Sequence, residues 1–145
     1  MEQPKKPWEI KPDKKLYDNQ EEVIALALKY ISEQILKHDC ISEAYVVGSF
    51  ATKQVGVYDG VYSDNGFKHT ASDLDLLILI DESKKIPSNW KFMNITRELG
   101  DIYFLGVLNY QNNQHIIESV LIMPSKHGTS KMKKSLTDRK YIRVK

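Results

Sequence analysis

The sequence predicts an α/β (α+β) fold, a mixed β-sheet with flanking helices. Three observations predict it: a helical pattern near the N-terminus, apolar runs of strand length in the middle, and two more such runs around a polar turn. The chain has 145 residues, 41% of them hydrophobic, which is enough for one compact domain. Because no apolar run reaches the length of a membrane span, no membrane association is expected.

Two longer helices are predicted, besides a short one between the first two strands. The first begins near Asn19, whose side chain can cap it while Glu22 reaches back, and it runs to about Lys37. Ser88 is predicted to cap the second helix, and Gly100 ends it. The apolar positions that suggest this second helix are Trp90, Phe92, Ile95 and Leu99.

The strands are predicted from short apolar runs. Residues 44–47 form the first run, a short helix should follow it, and residues 76–80 form the second run. Residues 104–110 and 115–123 flank the polar residues 111–114, which is typical of a hairpin. The predicted order is therefore helix, strand, short helix, strand, helix and hairpin.

Asp73 and Asp75 lie where the second apolar run begins. Strand side chains alternate, so both carboxylates should project from one face, about 6.5–7 Å apart at Cα. A hard cation such as Mg²⁺ prefers oxygen ligands and is usually held by one or two carboxylates together with substrate phosphates. The spacing therefore predicts a divalent-metal site.

Gly48 and Ser49 follow the first predicted strand. Glycine allows the backbone to approach a phosphate closely, and the serine hydroxyl and the following N–H groups can donate hydrogen bonds to it. The turn is therefore a candidate phosphate site.

In this order, Gly48-Ser49 after a strand and the segment 72–77 (SDLDLL) resemble the signature of the nucleotidyltransferases of the DNA polymerase beta superfamily. The resemblance covers about residues 20–123 and implies a palm-like fold. It further implies that Gly48 and Ser49 hold a nucleoside triphosphate and that Asp73 and Asp75 bind two catalytic Mg²⁺ (or Mn²⁺) ions.

The activity implied is transfer of a nucleoside monophosphate from an NTP, with ATP as the expected donor, to a hydroxyl with release of pyrophosphate. Lys53 and Ser72 are expected to help bind the nucleotide. The small size resembles the minimal nucleotidyltransferases, some of which are antitoxins that modify a partner protein. The acceptor stays open among protein, RNA and a small molecule, and a non-catalytic nucleotide- or RNA-binding module or a structural protein with vestigial motifs is the alternative.

The resembled family usually carries a third acid on a neighbouring strand. Glu118 is the only acid in the predicted hairpin, and an ionised side chain there would be costly unless paired or metal-bound. Glu118 is therefore expected to be the third ligand or the general base, with a solvent-facing edge-strand residue as the alternative. The rival acid, Asp101, follows Gly100 and is predicted to be a loop residue with little effect.

Residues 54–71 form an insertion between the two halves of the motif. Asp59-Gly60 and Asn65-Gly66 are hairpin signals, so a flap beside the nucleotide is expected. Its removal should leave the fold intact. Its aromatic residues, Tyr58, Tyr62 and Phe67, could stack on a base or only pack the flap against its neighbour. Its basic residues, Lys68 and His69, or the nearby Lys53 could reach phosphates.

Three segments are expected: an irregular basic arm over residues 1–18, a nucleotidyltransferase domain over 19–125 and a basic tail over 126–145. The tail could bind a triphosphate or RNA backbone, or be only a solvated terminus. The N-terminal residues lack a signal-peptide core, and the single Cys40 excludes an internal disulfide, so a cytoplasmic location is expected.

Overall fold

The computed structural model describes residues 12–64, 67–96 and 100–145. Within these residues nine strands form two sheets, with four short helices. The strands are β1 Lys14–Leu16, β2 Ile41–Val47, β3 Gly56–Asp64, β4 Phe67–Ala71, β5 Leu74–Ile80, β6 Lys91–Thr96, β7 Gly100–Tyr110, β8 Asn113–Ile122 and β9 Ile142–Arg143. The helices are α1 Gln20–Tyr30, α2 Ser49–Thr52, α3 Pro124–His127 and α4 Lys131–Leu136.

The predicted start of the first helix is confirmed. The Asn19 side chain accepts a hydrogen bond from the Glu22 N–H at 3.0 Å, which satisfies one of the free donors at the helix start. The helix continues beyond α1 as a π-helical turn over Ile31–Ile35, so helical backbone ends close to the predicted boundary.

The larger sheet has six strands in the order β6-β7-β8-β5-β2-β9. β5 and β8 run parallel, and the other neighbouring pairs are antiparallel. The coarse α+β class with a mixed sheet is therefore confirmed. Among the described residues, no helix has both the length and the apolar character that a membrane crossing would require.

The predicted second helix is wrong, because Lys91–Thr96 is the edge strand β6, paired with β7. Residues 97–99 lie outside the described part of the chain. Aromatic and β-branched residues fit a strand as well as a helix, and the neighbouring edge of β7 supplies backbone hydrogen bonds that a short isolated helix would lack.

The six-stranded sheet buries apolar residues on both faces. A first cluster lies under α1, and even-numbered residues of β5, such as Leu74 and Leu76, belong to it. A second cluster on the opposite face contains Leu77 of β5 and is covered by Met132 of α4. The members of this second cluster are Tyr45, Val47, Leu77, Ile122 and Met132.

The three-stranded sheet, in the order β1-β3-β4, contains the predicted hairpin of residues 54–71. Residues 65–66, between β3 and β4, lie outside the described residues, whereas Asp59-Gly60 lies within β3. β1 belongs to the segment expected to be an irregular arm, and it packs so closely that a Cβ at Gly56 would collide with the Lys15 carbonyl oxygen. Val55 and Ala71 are buried, so the hairpin is part of the core and removing it should unfold the protein, contrary to the sequence prediction.

The C-terminal segment expected as a basic tail contains α3, α4 and β9, and β9 pairs with β2. Asp101, expected in a loop, is a buried residue of β7 that helps to hold this segment. Its carboxylate accepts hydrogen bonds from the Lys126 ammonium at 2.7 and 3.0 Å, and His127 Nε2 lies 3.7 Å away. The pairing explains why a carboxylate can be buried here.

Asp101→Asn should therefore lower the free energy of unfolding by about 1–3 kcal/mol, since a buried charge-assisted hydrogen bond is weakened. Urea unfolding measures the change. Asp39→Asn is the matched control, because Asp39 forms an exposed pair with Lys84 at 3.8 Å and should cost less than about 0.5 kcal/mol. Equal stabilities of the two variants would contradict the tethering role of Asp101.

Candidate functional site

The turn after β2 brings the Gly48 backbone close to the carboxylate of Asp75. Gly48 has φ 70° and ψ −148°, and a Cβ built on it would lie 2.9 Å from Asp75 Oδ2. Only glycine combines this conformation with so close an approach. Ser49 begins α2, and its hydroxyl accepts a hydrogen bond from Lys14 Nζ at 3.1 Å. Sequence reasoning missed Lys14, because nothing in a lysine-rich segment marks one lysine as a site residue.

Asp75 and Glu118 are direct neighbours across the parallel pair of β5 and β8. Adjacent strands lie about 4.8 Å apart, and residues in register point to the same face. On that face Asp75 precedes Leu77, and Glu118 precedes Val120, so both acids lie beside the second cluster. The structure therefore brings Glu118, and not Asp101, to the aspartates.

Asp73 lies one residue before β5. Tyr58 of β3 indicates where its carboxylate lies, because burial, together with the negative charges of Asp73 and Asp75, raises the pKa of the Tyr58 hydroxyl to about 12. Both aspartates must therefore lie near this one phenol. The proximity agrees with the prediction that they share a face.

His69 of β4 completes the cluster. Its side chain is fully buried, Nδ1 lies 2.5 Å from Asp73 Oδ1, and Nε2 lies 3.9 Å from Glu118 Oε1. One nitrogen of the ring and one oxygen of each carboxylate all lie within 4.8 Å of one another. We call His69, Asp73 and Glu118 the acid-histidine group. Two carboxylates and an imidazole are a donor set that fits a divalent metal ion.

Ser72 has a different place from the one expected. Its hydroxyl is fully buried, accepts a hydrogen bond from the Gly56 N–H at 3.0 Å and donates to the Gly56 carbonyl at 3.3 Å. It therefore closes the base of the hairpin formed by β3 and β4, and its hydroxyl is not exposed to solvent. The Ser72 carbonyl is held in turn by His115 Nδ1 at 2.6 Å, while His115 Nε2 lies 2.8 Å from the Tyr17 hydroxyl.

These contacts determine which ring nitrogen of His115 carries the proton. A carbonyl only accepts, so Nδ1 carries the proton and Nε2 accepts from Tyr17. Burial lowers the pKa of His115, against smaller opposite effects of the Ser72 carbonyl and Asp73. The neutral ring fixes the backbone immediately before Asp73, which makes His115 a positioning residue that the sequence did not reveal.

The stability of the protein should consequently depend on the protonation of His115. Its folded pKa is below the ordinary value of about 6.5, so the unfolded chain binds a proton that the folded chain does not. The free energy of unfolding should therefore fall as the pH drops below about 6.5, and His115→Asn should reduce this fall. Urea unfolding at a series of pH values measures both slopes, and identical slopes would rule out a neutral buried His115.

The other predicted residues are less directly placed. Lys53 ends α2 with φ 59° and is exposed, as is Lys68, and no described contact joins either side chain to the acid-histidine group. Tyr58 is half-buried, and Lys14 Nζ lies 6.0 Å from its ring centroid. The side chains of Tyr62 and Phe67 lie outside the described part, so both possibilities for them, stacking on a base or only packing the flap, stay predictions.

Comparisons with protein-family models, with curated proteins and with solved structures find no significant match to this chain. Its function must therefore be inferred from the site residues themselves.

Proposed function

We propose that the protein is a nucleotidyltransferase of the DNA polymerase beta type, with a palm-like arrangement of its sheet. It would transfer a nucleoside monophosphate from an NTP, with ATP as the expected donor, to a hydroxyl and release pyrophosphate. The observation that carries the proposal is that Asp73, Asp75 and Glu118 lie close together beside the Gly48 turn. Gly48 and Glu118, the first and last residues of this set, are 70 positions apart in the sequence.

Three neighbouring carboxylates repel one another unless a cation neutralises them. In the proposal Asp73, Asp75 and Glu118 hold a divalent cation, Mg²⁺ or Mn²⁺. Such an ion supplies charge neutralisation for the phosphates and acidifies an attacking hydroxyl. Glu118 is the third ligand or the base that accepts the proton of the acceptor hydroxyl, since it is buried on the strand next to Asp75.

The surroundings of the acids support an anionic substrate. Lys14 brings a positive charge to the Ser49 hydroxyl, next to Gly48. A lysine ammonium and a hydroxyl are both suitable donors to phosphate oxygens.

The test is incubation of the purified protein with ATP labelled at the α-phosphate, with Mg²⁺ or Mn²⁺ and three acceptor pools: RNA, a protein extract and small hydroxyl compounds. Labelled product should form in one pool, with an equal amount of pyrophosphate. Parallel reactions with GTP, CTP and UTP determine base selectivity. If no pool is labelled and no pyrophosphate is released in any reaction, the proposed transfer is refuted.

A second candidate, a non-catalytic nucleotide- or RNA-binding module, is favoured by the basic residues after β8. The chain carries eight lysines and arginines from residue 126 onward against one aspartate, and several of them are exposed: Lys133, Lys134, Arg139, Lys140 and Arg143. Binding through these side chains should weaken steeply with salt, because it releases counterions. Metal-independent RNA binding without pyrophosphate release would favour this candidate, whereas a co-purifying protein that becomes labelled would identify a partner protein as the acceptor.

A further inference from the structure

His69 brings nitrogen to a site otherwise built from oxygen ligands. It lies on β4 of the smaller sheet, whereas Asp73 lies one residue before β5 and Glu118 lies within β8. Among the described residues these three form the only set of histidine, cysteine and acidic side chains whose ligand atoms lie close enough to share an ion. The inserted hairpin therefore contributes to the chemistry of the site itself.

The burial of His69 needs an explanation. A fully buried imidazole between two carboxylates can be a cation that pairs with them, or it can be a neutral metal ligand. In the first case His69 and a metal ion compete for the same negative charge. In the second case all three side chains share one ion.

The type of donor distinguishes between metals. Mg²⁺ prefers an octahedral shell of oxygen atoms, whereas imidazole suits the first-row transition metals. Manganese accepts carboxylate and imidazole together, and its affinity for nitrogen exceeds that of magnesium. An imidazole within 4.8 Å of both carboxylate oxygens thus favours a transition-metal ion.

We propose that His69 is a metal ligand and that the acid-histidine group selects Mn²⁺, or a related first-row ion, over Mg²⁺. The inference deepens the proposed function, on which it rests for the role of the ion. Metal binding itself needs neither nucleotide nor turnover, so the ligand assignment and the proposed function can fail separately.

The first measurement is titration of the metal-free protein with Mn²⁺, with free Mn²⁺ followed by electron paramagnetic resonance, and then competition with Mg²⁺. The dissociation constant for Mn²⁺ should be at least about tenfold lower than that for Mg²⁺. His69→Asn should weaken Mn²⁺ binding about tenfold to a hundredfold and Mg²⁺ binding much less. His38→Asn is the matched control, because His38 packs against Trp90 and is not part of the acid-histidine group, so both affinities should stay unchanged.

The second measurement is electron spin echo modulation of the Mn²⁺-loaded parent protein, which reports directly on nitrogen bound to the metal and does not depend on the folding of a variant. Nitrogen coupling in the parent, absent from His69→Asn where that variant folds, supports the ligand assignment. Absence of coupling in the parent, or an unchanged preference for Mn²⁺ in the variant, overturns it. Nitrogen-coupled Mn²⁺ in a protein without transferase activity would refute the proposed function and leave the ligand assignment supported.

Discussion

Replacing both Asp73 and Asp75 by asparagine should abolish nucleotidyl transfer and the stabilisation of the protein by metal and ATP. Asparagine keeps the shape of each side chain but removes the charge that holds a cation. The parent should gain RT ln(1 + [L]/Kd) in free energy of unfolding, about 2.7 kcal/mol at a ligand concentration of 100 Kd. Thermal unfolding with and without Mn²⁺ and ATP measures the gain, and pyrophosphate release measures the transfer.

Without metal, the double variant loses the repulsion of two like charges near Glu118 and also the contact of the Asp73 carboxylate with His69, so the two effects on its free energy of unfolding oppose each other. Asp138→Asn is a suitable control, since Asp138 is exposed and its backbone, with φ 59°, also suits asparagine. An unchanged metal shift in the double variant would place the ion elsewhere in the protein.

The parts of the fold that the sequence predicts are those with a strong local signal. The hairpin of β7 and β8 is confirmed, and its turn uses Gln111 and Asn112, both at positive φ. The edge strand β6 was mistaken for a helix, because its position depends on pairing with β7, which the local pattern does not contain. The same limit applies to β1 and β9, which are short and become strands only beside β3 and β2.

The candidate site likewise contains residues that the local sequence predicts and residues that only the packing of the sheets brings in. The acids at positions 73, 75 and 118 stand out because charge interrupts or borders apolar runs. His69 was singled out only as one of several basic residues that could reach phosphates, and its contact with Asp73 and Glu118 depends on how the two sheets pack. His115 carries no local signal either, since a lone histidine in a strand is equally compatible with a structural role.

In the insertion a local prediction is right, while the structure argues against the expectation drawn from it. Hairpin signals in residues 54–71 correctly predicted paired strands. The inference that the hairpin is dispensable depended on its being outside the core. Val55 and Ala71 at its base are instead buried, Ser72 and Gly56 close that base by hydrogen bonds, and β1 pairs with β3.

Glu118→Gln should reduce the rate of nucleotide transfer about a hundredfold or more while ATP binding survives. Glu118 is 7% exposed and lies in register with Asp75, so the amide fits the same space without the charge. Steady-state kinetics with pyrophosphate detection measures kcat, and equilibrium dialysis measures ATP binding. Glu33→Gln, at an exposed position of the π-helical turn, should leave both unchanged.

The comparison with Asp101→Asn separates a role in the site from a role in the fold. Asp101 is bonded to Lys126, so its variant should lose stability but keep kcat at temperatures well below its unfolding transition. The reverse pattern, with full activity in Glu118→Gln and none in Asp101→Asn, would assign the third acid to β7. If excess Mn²⁺ restores the rate of Glu118→Gln, Glu118 acts as a metal ligand. If the rate stays low at saturating metal and no longer falls at low pH, Glu118 acts as the base. The reason is that a base must be deprotonated to accept the proton of the acceptor hydroxyl.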